Sequence, residues 1–266
     1  MMEGLRMSVG LLVVSFGTTH LDTLEKTIEA VEKDLAGAYP EARFYRAFTS
    51  GVVRRRLKNE YGISVDSVKE AMARMQRDSV QRLVVQPTLL IPGEEYDRLR
   101  SEVMTYAGDM EVSMGLPLLW DDSDLDQMIG ILAKSYPVPE DTVLLAMGHG
   151  TEHGANSLYT RLAQRMHRHH GNSIAVCTVE GQPDFSDVVA ELKKQPKRKA
   201  HLIPLLLVSG EHSKNDMAGE ESGSLRVLLE QAGFTVSWSL RGLGELPAVR
   251  QRYVRRAENA FQSLAG

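Results

Sequence analysis

The chain has 266 residues, a quarter of them charged (25%), and a formal net charge of −4. That length buries a real core in one large domain or two small ones. The charge balance offers no basic face for nucleic acid, no apolar run approaches a membrane span, and the single Cys177 excludes an intrachain disulfide.

Read in order, short apolar runs alternate with helix-period segments. "VGLLVVSF" (9–16) reads as a strand, and it lacks the longer apolar core and small-residue cleavage site of a signal peptide, which points to a cytoplasmic protein. In the next segment Leu24, Ile28, Val31 and Leu35 recur at helical spacing before Pro40. "ARFYRAF" (42–48) is the second strand, and "SVDSVKEAMARMQRD" a helix with Ser64 as N-cap. The third strand is 82–91, followed by the helix "YDRLRSEVMTYA" and a fourth strand at 111–119. An acidic, loop-like stretch, "WDDSDLDQM" (120–128), precedes a restart. Strands are then expected at 142–148, 174–180, 200–210 and 234–240, with helices at 155–169, 185–195, 216–232 and 247–264. Continuous Val/Leu/Ile runs spaced by helices mean parallel strands covered on both faces. Cys177 falls in such a run and reads as a buried, inert thiol.

The restart is an internal repeat. "VVSFGTTH" (13–20) answers to "LAMGHGTEH" (145–153), and "PTLLIPGEEYD" (87–97) to "PLLLVSGEHSK" (204–214), with Gly-Glu at the same spacing from Pro. The fold expected is therefore α/β: two similar lobes, each a parallel β-sheet flanked by helices, with a cleft between them. The lobes are placed at 1–128 and 129–246, with a closing helix at 247–266 that has room to pack back on the first lobe.

Ligands of open α/β sheets bind outside the carboxyl ends of the strands. His149, Glu180 and His212 fall at three successive expected strand ends, separated by 31 and 32 residues. One strand–helix unit takes about 30 residues, so each step returns the chain to the same rim. Two imidazoles and a carboxylate suit a borderline divalent metal, and three protein ligands leave positions open for chemistry. The other histidines have plainer readings. His153 is a loop or helix-start residue, 167–170 a solvated helix end favoured by the dipole, and His20 and His201 a loop and a strand start. In the first lobe Phe16 stands in place of His149, Thr49 or Ser50 in place of Glu180, and Glu95 in place of His212. That contrast suits a flat organic substrate with metal delivered from one side.

"VVSFGTT", "PGEEYD", "GHGTEHGAN", "VEGQPDF" and above all "SGEHSKNDMAG" (209–219), in this order over nearly the whole chain, resemble the anaerobic sirohydrochlorin cobaltochelatases, class II chelatases with a ferrochelatase-like fold. The resemblance implies Co²⁺ insertion into sirohydrochlorin on the way to cobalamin, with no permanently bound cofactor and with Co²⁺ as the substrate metal. It carries His149 and His212 onto the family's paired cleft histidines and Glu180 onto its metal carboxylate. Fe²⁺ insertion to make sirohaem, or a non-catalytic carrier of metal or tetrapyrrole, are the alternatives, since such ligands do not choose sharply between Fe²⁺ and Co²⁺.

Insertion releases two pyrrole N–H protons, and a neutral histidine is suited to take them. His149 is the expected proton acceptor and ligand, and His212 a ligand and second base. Glu94 and Glu95 are candidates to accept protons or guide the cation, and Glu94 equally to cap a helix start. For the substrate's carboxylates the candidates are the hydroxyls of Ser15, Thr18 and Thr19, with Arg54 and Lys214. The expected partners are this tetrapyrrole and a divalent metal, without nucleic acid or membrane, and a homo-oligomer is left open.

Overall fold

The computed structural model describes residues 8–171 and 173–265. Residues 1–7, the start of the N-terminal run weighed as a leader, lie outside the described residues. The chain divides into two compact units, one running through Leu118 and resuming at Val249, the other Leu119–Ala248.

In the first unit the order is β1 (Val9–Ser15), α1 (Leu21–Leu24) joined by a π turn to α2 (Ala30–Ala38), β2 (Arg43–Phe48), α3 (Gly51–Tyr61), α4 (Val68–Arg77), β3 (Arg82–Pro87), α5 (Glu94–Tyr106) and β4 (Glu111–Met114). The second unit holds α6 (Asp122–Ser135), β5 (Thr142–Gly150), α7 (Ser157–His170), β6 (Ile174–Glu180), α8 (Phe185–Lys193), β7 (Lys199–Pro204), a π turn (Ser213–Met217), α9 (Leu225–Gln231) and β8 (Thr235–Trp238). The last helix, α10 (Pro247–Ala265), falls almost wholly in the first unit.

Each unit is built on a four-stranded, all-parallel sheet, ordered β2-β1-β3-β4 in one and β6-β5-β7-β8 in the other. The central strands explain their own position. Leu11, Leu12 and Val13 in β1, and Val143 to Met147 in β5, are fully buried, which only a strand covered on both faces requires. The repeat extends to register. Val14 pairs with Pro87 and Met147 with Pro204. In each unit the residue after that proline donates its N–H back to the central strand, Thr88 to Val14 and Leu205 to Met147.

Several expected boundaries move. β3 and β7 stop at Pro87 and Pro204, not at 91 and 210, because proline brings no N–H to the ladder and the chain turns away just beyond it. β4 stops at Met114. Ser67, not Ser64, caps α4, since Glu70 stands at the third helical position and completes a capping box. The helix expected at 216–232 is broken: Gly219, Gly223 and the cap residue Ser224 separate the π turn from α9. The acidic stretch 120–128 is no loop. Asp121 and Asp124 form a reciprocal capping box that starts α6, so this stretch opens the second unit.

Two helices lacked a sequence signal. In α6 the acidic start hides the apolar face formed by Leu125, Met128, Ile129 and Leu132. In α3 only Leu57 is buried, so there is no apolar stripe to detect.

α10 is tied to the first unit by specific bonds. The fully buried Tyr253 donates its hydroxyl to the carbonyls of Thr88 (3.0 Å) and Leu89 (3.3 Å). Arg250 pairs with Asp34 at 2.7 Å, and Phe261 stacks on Tyr39. Tyr253→Phe should therefore cost about 1 kcal/mol, the net worth of a hydrogen bond. Tyr253→Ala should cost about 3–5 kcal/mol through the cavity it leaves. Chemical denaturation of the intact chain measures both, and equal losses would show that the buried ring contributes nothing beyond its hydroxyl.

Candidate active site

The rim of the second unit is set by glycines. Gly148 lies so close to the Tyr159 ring that an added Cβ would overlap it. Tyr159 is buried, and its phenol is pushed well up by that burial, against the opposing pull of the Gly150 and His149 backbone. Gly150 has φ +79°, and a Cβ there would collide with the carbonyl oxygen of Glu180. Between them His149 projects, partly exposed, beside Glu180 at the end of the paired strand.

His149 Nδ1 lies 3.0 Å from the carbonyl oxygen of Gly150. A carbonyl only accepts, so this contact places the proton on Nδ1 and leaves Nε2 with its lone pair. His212 Nδ1 lies 2.6 Å from Asp216 Oδ2, and an ionised carboxylate imposes the same tautomer. The two rings meet edge to face, centroids 4.7 Å apart at 90°. Glu180 Oε2 is 3.9 Å from His149 Nδ1. The structure thus brings His149, Glu180 and His212 to one rim. Among the described residues, no group of three or more His, Cys, Asp or Glu side chains is placed to hold a metal ion as it stands.

His212 is not at a strand end, as its spacing suggested. It lies eight residues beyond Pro204, leading into the π turn. Two residues that matter here escaped the sequence reading. Asp216 orients His212, and the His-x3-Asp spacing in a helical segment was its signal. Asn156 joins the two strand-end loops: its Oδ1 accepts from Thr151 N–H at 3.1 Å, and its Nδ2 donates to the Gln182 carbonyl at 2.7 Å.

The remaining candidates separate. His153 is exposed and accepts from Ala155 N–H as a cap. His169 stands 3.7 Å from Asp126 at the end of α7. His201 bonds Ser237, and burial lowers its pKa. In the first unit, register places Phe16 where His149 stands, and Ser50 rather than Thr49 where Glu180 stands. Phe16 is exposed (55%). Glu95, eight residues past Pro87 as His212 is past Pro204, accepts a hydrogen bond from the Thr49 hydroxyl. Glu94 is the first residue of α5 and pairs with Arg98 on the surface, giving no side-chain cap. Ser15 is buried and accepts from the Thr88 hydroxyl, so its hydroxyl is not presented to a ligand. Thr18 is buried as well and accepts from His20 N–H. Thr19 is half-buried, and Lys214 is exposed on the π turn.

The family model for cobalt chelatase (CbiK) matches residues 9–262. A sirohydrochlorin cobaltochelatase of Salmonella typhimurium is 34% identical over 257 residues, covering 96% of this chain and 97% of that protein. Sirohydrochlorin cobaltochelatase CbiKC of Nitratidesulfovibrio vulgaris is 31% identical over 242 residues, covering 89% and 84%. Among solved structures, SirB from Bacillus subtilis with Fe³⁺ superposes with a TM-score of 0.69 at 17% identity, covering 97% of this chain and 98% of that one. That likeness shows the fold: the duplicated lobe of the class II chelatases.

Gly150→Ala should lower the melting temperature, because the left-handed φ alone costs about 1–3 kcal/mol for a residue with a side chain. It should also part His149 from Glu180. Gly154→Ala, with nothing within 4 Å of the added carbon, is the control. Thermal melts of the pair test this, and equal melting temperatures would contradict it.

Proposed function

The chain belongs to the cobalt chelatase (CbiK) family, and on that premise we propose how it works as a sirohydrochlorin cobaltochelatase. Co²⁺ enters the ring of sirohydrochlorin as two pyrrole N–H protons leave, and both metal and ring are substrates, so no resident cofactor is needed. The observation that carries the reading is the edge-to-face pair of His149 and His212, each with Nδ1 engaged and Nε2 left as a lone pair.

His149 Nε2 serves as ligand and as acceptor of a pyrrole proton. His212 Nε2 serves as the second ligand, with Asp216 holding the ring in place. Glu180 contributes the negative charge that draws in a dication. The Gly150 carbonyl and the Asp216 carboxylate fix each imidazole so that the proton taken and the metal given up use the same nitrogen in turn. Insertion of Fe²⁺ remains a second substrate choice that such a donor set accepts. A cytoplasmic site of action fits the lone buried thiol of Cys177, which needs no oxidising compartment.

Two tests follow. Anaerobic incubation with sirohydrochlorin and Co²⁺ should convert many ring equivalents per protein, followed by absorbance; conversion that stops at one equivalent would mark a carrier. His149→Ala should lower turnover by about 10²–10⁴-fold, the usual worth of a general base, and excess Co²⁺ should not restore it. Glu180→Gln keeps the shape and loses the charge, so its defect should lie in the Co²⁺ dependence and be partly recovered at high Co²⁺. Near-normal turnover in His149→Ala would contradict the assignment.

A further inference from the structure

The loop that follows Glu180 is held by polar bonds. Glu180, Gly181 and Gln182 are all exposed, so burial does not fix them. The two ends of the loop are set by main chain. At the near end Glu180 is in register with Gly150. At the far end the Pro183 carbonyl accepts from the N–H and the hydroxyl of Thr178, at 2.8 and 3.1 Å. Between these ends the chain passes the loop that leaves His149, and there one carboxamide joins the two. Asn156 Oδ1 accepts from Thr151 N–H at 3.1 Å, and Nδ2 donates to the Gln182 carbonyl at 2.7 Å. Thr151 lies two residues past His149, and Gln182 two past Glu180. Gly181 runs so close that an added Cβ would lie 2.8 Å from Asn156 Oδ1 and 2.9 Å from the Thr151 carbonyl oxygen.

The other roles open to this side chain are not taken. Asparagine at a helix start ordinarily caps the helix. Asn156 directly precedes α7, yet its backbone is already helical (φ −58°, ψ −24°) and its side chain makes no capping bond to that helix. Half-buried at the rim, it fills no core. The polarity of its two contacts also fixes its identity. An N–H only donates and a carbonyl only accepts, so the link needs an acceptor and a donor on one short arm. Aspartate would set an oxygen against the Gln182 carbonyl, and alanine would release both loops. Ordering a loose loop when a ligand arrives subtracts from affinity, and a loop ordered beforehand avoids that loss.

We propose that Asn156 is a positioning residue for metal capture. By tying the loop after Glu180 to the loop after His149, it keeps the Glu180 carboxylate beside the imidazole, where Oε2 lies 3.9 Å from Nδ1. This rests on the chelatase reading of the site. Asn156 acts through Glu180 and takes no part in moving the pyrrole protons.

The test is the Co²⁺ dependence of insertion into sirohydrochlorin, for Asn156→Ala alone and combined with Glu180→Gln. Asn156→Ala should raise KM for Co²⁺ about 10-fold or more, the scale on which partners of metal-binding side chains act. Its kcat should change less than about 3-fold, because the proton acceptor is untouched. In the Glu180→Gln background the same substitution should raise KM further by less than about 2-fold, since a residue that acts through another loses its effect once that one's charge is gone. Asn156→Gln, which keeps donor and acceptor on a longer arm, should recover part of the loss. A merely structural role would instead lower the melting temperature and shift KM by the same factor in both backgrounds. That additivity overturns the proposal, as does a wild-type KM in Asn156→Ala or a loss confined to kcat, and each leaves the function standing. A wild-type protein that inserts no Co²⁺ overturns the function, and the positioning role with it.

Discussion

Everything at the rim of the second unit hangs on one steric condition. β5 and β6 remain in register through Gly150 and Glu180, where the backbone of one lies against the carbonyl oxygen of the other and no Cβ fits. Because the strands stay paired that far, His149 is presented by a strand rather than a loose loop. Its neighbour's carbonyl then fixes the tautomer of its ring. Asn156 repeats the constraint one step out, binding both strand-end loops, and Gly181 leaves the space that the Asn156 amide fills. The site is thus positioned by backbone, which costs no side-chain entropy at the moment a metal arrives.

The two units share strand order, register and the inward hydrogen bond after Pro87 and Pro204, yet the residues at their rims differ. In one, histidines and carboxylates gather where the central strands end. In the other, the exposed Phe16, Ser50 and Glu95 occupy the matching places. A duplicated scaffold can diverge in this way because the core face of each strand is fixed by burial while the residues just past the strand ends are not.

How much of this the sequence disclosed depends on which residues carry a pattern. The eight parallel strands were legible because fully buried runs such as 11–14 and 143–147 have no other explanation. The repeat was legible because Pro-to-Gly-Glu spacing survived in both halves. Strand ends were not, since apolar residues 89–91 and 205–208 continue past the prolines that stop pairing. That same effect placed His212 at a strand end when it lies beyond, just before the π turn. α3 escaped because a helix with one buried residue has no period to read, and the same feature frees its first turn to carry arginines. Asp216 and Asn156 act through other residues, and a carboxylate or amide at such a position looks like any polar surface residue until its partner is placed.

The looseness of the histidine–glutamate arrangement has a chemical consequence. A structural zinc site closes four ligands around the ion and holds it. Here Nδ1 of each imidazole is committed to an oxygen acceptor, so each ring can offer only Nε2, and Glu180 Oε2 lies 3.9 Å from the committed nitrogen of His149. On the proposed reading, such a set would attract a dication without encircling it. On that reading the macrocycle, with four inward nitrogens of fixed geometry, would win the competition for the metal once two of those nitrogens had lost their protons. A tighter site would bind Co²⁺ better and transfer it more slowly, because interactions formed equally with the bound ion and with the ion in transit do not lower the barrier between them.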